Sequence, residues 1–188
     1  MTEFVSLDGV FEDPGGAENF EHGGWTFTFD RGADADQFKL DELTAADAQL
    51  LGRVTYEGFA AAWPTMTDEA GFADRMNGMP KYVVSKTLAS ADWAGSTIIR
   101  ENVAEEVTAL KQRYAGDILV AGSGQLVQFL LGAGLVDRLQ LMTFPIVLGS
   151  GRRLFPEGVA TTRFTLLEAR PVGPDGVTIQ IYAAASAK

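Results

Sequence analysis

The sequence contains no cysteine and a single histidine, His22. The lack of cysteine excludes disulfides, iron–sulfur clusters and cysteine-ligated zinc sites. One histidine cannot form a histidine-based metal cluster, and its position in an acidic loop argues against a Ser-His-Asp triad. We therefore expect no metal site.

Positive charge is also scarce. The chain carries 15 lysines and arginines against 25 acidic residues, which gives a net charge of −10. Binding to nucleic acid or to an anionic membrane needs a basic surface, so this balance argues against both. A small anionic ligand remains compatible with the composition, because a few local cations can hold a phosphate on an acidic protein.

Long apolar runs are missing. No stretch reaches the roughly 18–20 residues of a membrane-spanning helix, and the N-terminus lacks a basic segment followed by an apolar one. We expect a soluble, cytoplasmic protein. Its 188 residues, 46% of them hydrophobic, suit one domain over residues 1–188.

Short apolar segments alternate with amphipathic ones along the chain. This alternation predicts an α/β fold with a mostly parallel central sheet and helices on both faces. A turn at Pro174-Asp175-Gly176 predicts a C-terminal antiparallel hairpin. The predicted strands are 2–7, 48–52, 81–86, 96–100, 117–123, 162–173 and 177–185, with a further strand-like stretch at 137–151. The predicted helices are 34–46, 53–62, 68–78, 102–116, capped at Asn102, and one that opens at 124.

Three of the predicted strands end in residues suited to phosphate binding. The ends read Gly-Arg-Val-Thr at 52–55, Ser-Lys at 85–86 and Gly-Ser-Gly-Gln at 122–125. Ligands of open α/β sheets bind at the carboxyl ends of strands, and helix starts attract anions. The glycine-rich turn suits a pyrophosphate, and the cations and hydroxyls suit a terminal phosphate.

Each strand end also has a simpler explanation. The Gly-Ser-Gly turn can be an ordinary tight connection, because Val127 stands where a complete G-x-G-x-x-G motif needs its third glycine. Arg53 can be a solvated first-turn side chain, and Ser85-Lys86 a polar strand end. The order and shared location of the three ends favour a common ligand.

Five stretches together resemble the dihydrofolate reductase-like superfamily. They are "SLDGVFEDPGG", "LLGRVTYEGF", "YVVSKTL", "ILVAGSGQLVQFLL" and "FPIVLGSGRRLF". The branch they are most similar to is related to the reductase half of the riboflavin-biosynthesis deaminase–reductases. The resemblance implies a single α/β domain, NADPH as cofactor and a homodimer that acts on a small molecule.

The resemblance also implies roles for individual residues. It places the phosphates of NADPH at Gly52, Arg53 and Thr55, at Ser85 and Lys86, and at Gly122, Ser123, Gly124 and Gln125. It places Ser6 and Asp8 beside the nicotinamide. The extra 2′-phosphate of NADPH would explain why cations stand where an NAD site prefers an acid.

The implied reaction is hydride transfer to a C=N or C=O bond of a pterin-like or aminouracil-like substrate. The resemblance is to 5-amino-6-(5-phosphoribosylamino)uracil reductase. Two alternatives remain open at this point: a dihydrofolate reductase, and a nucleotide-binding dimer without catalytic activity. A proton donor near the nicotinamide separates the two classes.

Asp36 is the proposed proton donor, because dihydrofolate reductases use a carboxylate on the first helix. Asp8 is the rival candidate. Both have structural alternatives, since acids near a helix start complement its dipole and Asp-Gly is common turn chemistry. Arg152 and Arg153 can either bind a substrate phosphate or lie at the surface or a dimer contact.

Overall fold

The structure, a computed structural model, describes residues 1–159 and 161–184. The chain divides into two compact units, Met1–Gln37 with Val136–Lys188, and Phe38–Leu135. Residue 185, the last residue of the final predicted strand, lies outside the described part. The prediction of one domain over residues 1–188 stays a prediction.

The first unit contains a four-stranded sheet with the order β1-β6-β8-β7. Strands β1 and β6 are parallel, whereas β8 is antiparallel to both β6 and β7. Val172 pairs with Val177 across the predicted turn, so the C-terminal hairpin is confirmed. The strands are β1 (Thr2–Ser6), β6 (Arg138–Phe144), β7 (Phe164–Val172) and β8 (Val177–Ala184).

The second unit contains a wholly parallel four-stranded sheet with the order β4-β3-β2-β5. Its strands are β2 (Ala46–Gly52), β3 (Lys81–Val84), β4 (Ser96–Ile99) and β5 (Asp117–Leu119). Its helices are α2 (Arg53–Ala62), α3 (Phe72–Gly78), α4 (Val103–Arg113) and α5 (Gly124–Gly132). Helix α1 (Gly32–Ala45) begins in the first unit and ends in the second. The α/β class with a mainly parallel sheet is thus confirmed.

The helix predicted over 102–116, with Asn102 as its cap, differs from the observed α4 at both ends. Asn102 stands at the start of α4 as predicted, but it adopts a left-handed conformation with φ of 51° and its side chain caps no N–H group. The helix ends at Arg113 instead of Gly116. Gly116 instead donates its N–H to Asp47 Oδ2 at 2.7 Å, which holds it in the connection to β5.

A buried lysine stabilises the core of the second unit. Lys81 opens β3 with no exposed surface, and its Nζ donates to the carbonyl oxygens of Asn77, Met79 and Ala94 at 2.8–3.1 Å. Nζ also lies 4.2 Å from the ring centroid of Trp93. Burial lowers the pKa of Lys81 to about 8. The ammonium group satisfies carbonyls at the end of α3 that would otherwise be buried without a donor.

Within the described ranges, no helix has both the length and the apolar character needed to cross a membrane.

Candidate functional site

The carboxyl ends of three strands meet at one edge of the parallel sheet. Strand β2 lies between β3 and β5, and Gly52 at its end pairs directly with Val84 at the end of β3. Parallel neighbours end at the same edge of a sheet, so the segments beginning at Arg53, Ser85 and Gly122 all leave from that edge. The three phosphate-binding candidates are therefore brought together within the second unit.

Ser123 joins the starts of α2 and α5. Its Oγ accepts a hydrogen bond from the N–H of Gly52 at 2.8 Å and donates one to Thr55 Oγ1 at 2.9 Å. These contacts link residues about 70 positions apart in the sequence. Ser123 thus acts on the site by positioning two helix starts, and its hydroxyl is already engaged before any ligand binds.

The two helix starts leave N–H groups for a ligand. The residues before α2 and α5 are Gly52 and Ser123, and neither makes a side-chain capping bond to its helix. The first turn of a helix has N–H groups without intrahelical partners, and the helix dipole adds partial positive charge there. Two such starts side by side form a cradle suited to a pyrophosphate.

Little room is left for a side chain at the glycines on either side of this cradle. A Cβ atom at Gly52 would lie 3.1 Å from Cβ and Oγ of Ser123, and one at Gly122 would lie 3.1 Å from Thr55 Oγ1. Gly122 also has a φ of 59°, and Ser123 follows with 67°. A Cβ atom at either position would force the facing side chain of Ser123 or Thr55 to move by a few tenths of an ångström. Gly124 and Gln125, also predicted at the phosphates, form the first two positions of α5.

The predicted phosphate-binding side chains lie next to this cradle. Arg53 pairs with Glu57 on its own helix at 2.7 Å, with both side chains partly exposed. The Ser85 oxygen accepts the N–H groups of Thr87 and Leu88 at 3.2 and 3.0 Å, which leaves its hydroxyl proton as a donor. Lys86 follows with an exposed side chain. An incoming phosphate would replace the weak surface pair of Arg53 with a stronger contact.

In the first unit, Asp8 is fixed as an anion. Its Oδ1 accepts the hydroxyl of Ser6 at 2.6 Å and the N–H of Leu148 at 3.1 Å, and its Oδ2 accepts the N–H of Gly149 at 3.0 Å. The Ser6 hydrogen bond, followed by the two N–H bonds, lowers the pKa of Asp8 to about 2 against the opposing effect of burial. A carboxyl group whose pKa is lowered by such hydrogen bonds is a weaker candidate for the proton donor than one without them.

Asp8→Asn should destabilise the protein by about 2 kcal/mol at neutral pH, because a pKa lowered by nearly two units stabilises the fold by that amount. Since the folded pKa lies below the unfolded value of 3.8, this contribution is complete above about pH 4 and disappears as the pH falls through about 2. The measurement is the free energy of unfolding in urea, determined for the wild type and for Asp8→Asn across this pH range. The exposed Asp34→Asn is the matched control, and an equal effect of both substitutions at neutral pH would contradict the account.

Asp36 lies on α1 with 65% of its side chain exposed. Nε and Nη2 of Arg31 contact Oδ1 at 2.9 and 2.7 Å. Both contacts are made to the same carboxylate oxygen, Oδ1. Its role as proton donor stays a prediction.

Asp13 was not anticipated from the sequence. It is buried, and its carboxylate accepts the N–H groups of Ala17 and Phe20 at 2.6 and 3.2 Å. Its carbonyl oxygen accepts those of Gly16 and Gly24. The signal available in the sequence was the turn-forming run Asp-Pro-Gly-Gly that begins at this position.

Comparison with known proteins decides the family. The model of the family described as "RibD C-terminal domain" matches residues 1–178. The chain belongs to the RibD C-terminal domain family. It is also similar to the uncharacterized protein YyaP of Bacillus subtilis, with 30% identity over 154 residues that cover 80% of this chain and 76% of that protein.

Two solved structures agree with the fold of the RibD C-terminal domain family. A putative riboflavin biosynthesis protein from Shewanella sp. PV-4 superposes with a TM-score of 0.76 at 20% identity and covers 98% of this chain and 97% of its own. Dihydrofolate reductase from Enterococcus faecalis, in complex with NADP(H) and RAB-propyl, gives 0.62 at 16% identity and covers 98% and 95%. The predicted resemblance and the dihydrofolate reductase-like fold are confirmed, and the family is one of reductases.

Proposed function

We propose that this chain is an NADPH-dependent reductase that transfers a hydride to a C=N or C=O bond of a small pterin-like or aminouracil-like substrate. The observation that carries the proposal is the cradle of the second unit, where two uncapped helix starts are joined through Ser123. The segments that carry Arg53, Ser85 and Lys86 begin at the same edge of the sheet. This donor set fits a dinucleotide that carries an additional phosphate.

The residues of the chain have separate tasks in this proposal. The N–H groups at the starts of α2 and α5 bind the pyrophosphate, and Arg53, Ser85 and Lys86 bind the 2′-phosphate. Reduced nicotinamide, when bound, supplies the hydride. In the first unit, Ser6 and Asp8 are proposed for the nicotinamide side, where Asp8 acts as a fixed anion that orders its loop.

In this proposal Asp36 donates the proton to the substrate. Hydride addition to C=N leaves a negative nitrogen that must gain a proton. Asp8 holds its charge to about pH 2, which makes it the weaker candidate. Within the part of the chain that the structure describes, Arg31 contacts Asp36 through Oδ1, and Oδ2 is the oxygen we propose for proton transfer.

The test is consumption of NADPH with a panel of pterins, aminouracil ribosides and simple carbonyls. We expect loss of reduced-nicotinamide absorbance with at least one heterocycle of this panel. Preferred turnover of dihydrofolate would instead support a dihydrofolate reductase. Tight NADPH binding without turnover of any compound would support a nucleotide-binding protein without catalytic activity.

We further propose that the chain forms a homodimer through strand β7. This strand is an end of its four-stranded sheet and exposes Leu166 and Leu167 by 54% and 55%. An apolar strand at a sheet edge is a template for pairing with another chain. Light scattering at micromolar concentration should give twice the chain mass, and Leu166→Lys should shift the protein toward the monomer. A monomeric wild type would contradict the proposal.

A further inference from the structure

Two loops of the first unit form one cross-linked surface. They are residues 7–24, which follow β1, and residues 145–155, which follow β6. Because β1 and β6 are parallel and Ser6 pairs with Phe144, both loops leave the same edge of the sheet. Backbone hydrogen bonds join them: Phe11 N–H donates to the Arg152 carbonyl at 3.0 Å, and Leu154 N–H donates to the Gly9 carbonyl at 2.9 Å.

Three hydrogen bonds to carboxylates hold Arg152 within this surface. Its Nε donates to Glu12 Oε1 at 2.8 Å and its Nη2 to Glu18 Oε2 at 2.5 Å, while its backbone N–H donates to Glu12 Oε2 at 2.8 Å. The guanidinium carbon also lies 5.5 Å from the centroid of the Phe11 ring. Burial opposes the charge, but the hydrogen bonds that Arg152 donates to Glu18 and Glu12 outweigh it and raise the pKa of Arg152.

Arg153 is also engaged. Its Nη1 donates to the carbonyl oxygen of Asp8 at 2.9 Å, and its Nη2 lies 3.6 Å from Asp8 Oδ2. Arg152 and Arg153 are the only lysines or arginines in the sequence of the two loops. Residues 7–24 contain five acidic residues, namely Asp8, Glu12, Asp13, Glu18 and Glu21. A phosphate arriving here would meet a net negative field and two arginines that already contact carboxylates.

Apolar side chains are exposed at the same strand ends. Leu7 is 63% exposed and Val147 is 67% exposed, and Leu7 N–H donates to the carbonyl of Ile146 at 2.8 Å, which sets the two segments side by side. These residues offer a surface for an uncharged ring. The chemistry of this sheet edge therefore favours a neutral heterocycle over a phosphorylated one.

We propose that the substrate carries no phosphate group, and that Glu12 and Glu18 set this specificity by occupying Arg152. The inference rests on the proposed reductase function and narrows its substrate class. In this role the two glutamates are positioning residues. They hold Arg152 between the two loops, so that its guanidinium does not bind an anionic ligand.

The first experiment follows the Nε–H resonance of Arg152 by NMR during titration with ribose 5-phosphate, in protein saturated with NADPH. We expect no shift in the wild type and a saturable shift in Glu12→Gln/Glu18→Gln, where Arg152 is released. Glu157→Gln, an exposed change of the same kind after the second loop, should behave like the wild type. If the double variant does not fold, Glu18→Gln alone provides the comparison.

A saturable shift of Arg152 in the wild type, lost together with ribose 5-phosphate affinity in Arg152→Met, would overturn the inference. Absence of a shift in the folded glutamate variants would also overturn it, because the carboxylates would then not be what excludes phosphate. The titration stays interpretable without NADPH, since it reports on Arg152 itself. Failure of NADPH to bind would argue against the reductase function and would leave the inference about Arg152 unaffected.

The second experiment compares an aminouracil riboside with its 5′-phosphate. We expect the NADPH-saturated wild type to bind the riboside about tenfold or more tightly than the 5′-phosphate. This ratio of affinities should become smaller in the glutamate variants and should stay the same in Glu157→Gln. Equal binding of the two compounds, or tighter binding of the 5′-phosphate, would overturn the inference.

Discussion

Asp36→Asn should lower kcat/KM by about 10²–10⁴-fold, the usual contribution of general acid catalysis, while NADPH affinity stays unchanged. Asparagine preserves the size of the side chain and an oxygen for Arg31, but it cannot supply the proton. The measurement is steady-state kinetics on the best substrate of the panel, with NADPH affinity determined separately by fluorescence titration.

Asp34→Asn is the matched control, because Asp34 is another exposed acid in the first turn of the same helix. It should leave kcat/KM near the wild-type value. Full activity of Asp36→Asn would remove Asp36 as the donor and would favour a bound water. An equal loss in both variants would indicate a general effect of helix charge instead of proton transfer.

Arg53→Met combined with Lys86→Met should weaken NADPH binding by about 10²–10⁴-fold, since each lost charge-assisted contact is worth about 1.5–3 kcal/mol. NADH lacks the 2′-phosphate, so its affinity should change little. Calorimetric titration of both cofactors against the double variant measures the effect. If the double variant lost affinity for both cofactors equally, the two cations would contact a part of the ligand that NADPH and NADH share.

Arg163→Gln serves as the control for net charge. Arg163 is an exposed cation of the first unit, and its loss changes the charge of the protein at a residue that is not part of the cradle. Its NADPH affinity should remain within about twofold of the wild type once the salt concentration is held constant.

Much of the fold could be predicted because its signals are local. Helix α2 was predicted with its observed bounds, Arg53–Ala62, since a glycine precedes it and aromatic residues recur at helical spacing within it. The hairpin at Pro174-Asp175-Gly176 followed from turn chemistry. The convergence of Gly52, Ser85 and Gly122 at one edge followed from the parallel arrangement of their strands.

Other features depend on contacts between residues far apart in sequence. No local pattern could show that Ser123 bridges to Gly52 and Thr55, or that Lys81 is buried against three carbonyl oxygens. The pairing of Arg152 with Glu12 and Glu18 joins positions 140 and 134 residues apart. The sequence therefore left a phosphate-binding role for this arginine open, and its observed contacts argue against one.

The affinity of the wild-type protein for NADPH and NADH, measured by calorimetry in one buffer, tests the central claim most directly. The account predicts that NADPH binds at least about tenfold more tightly, as a single charge-assisted contact to the 2′-phosphate already implies. Equal affinities for the two cofactors, or binding of neither, would contradict it.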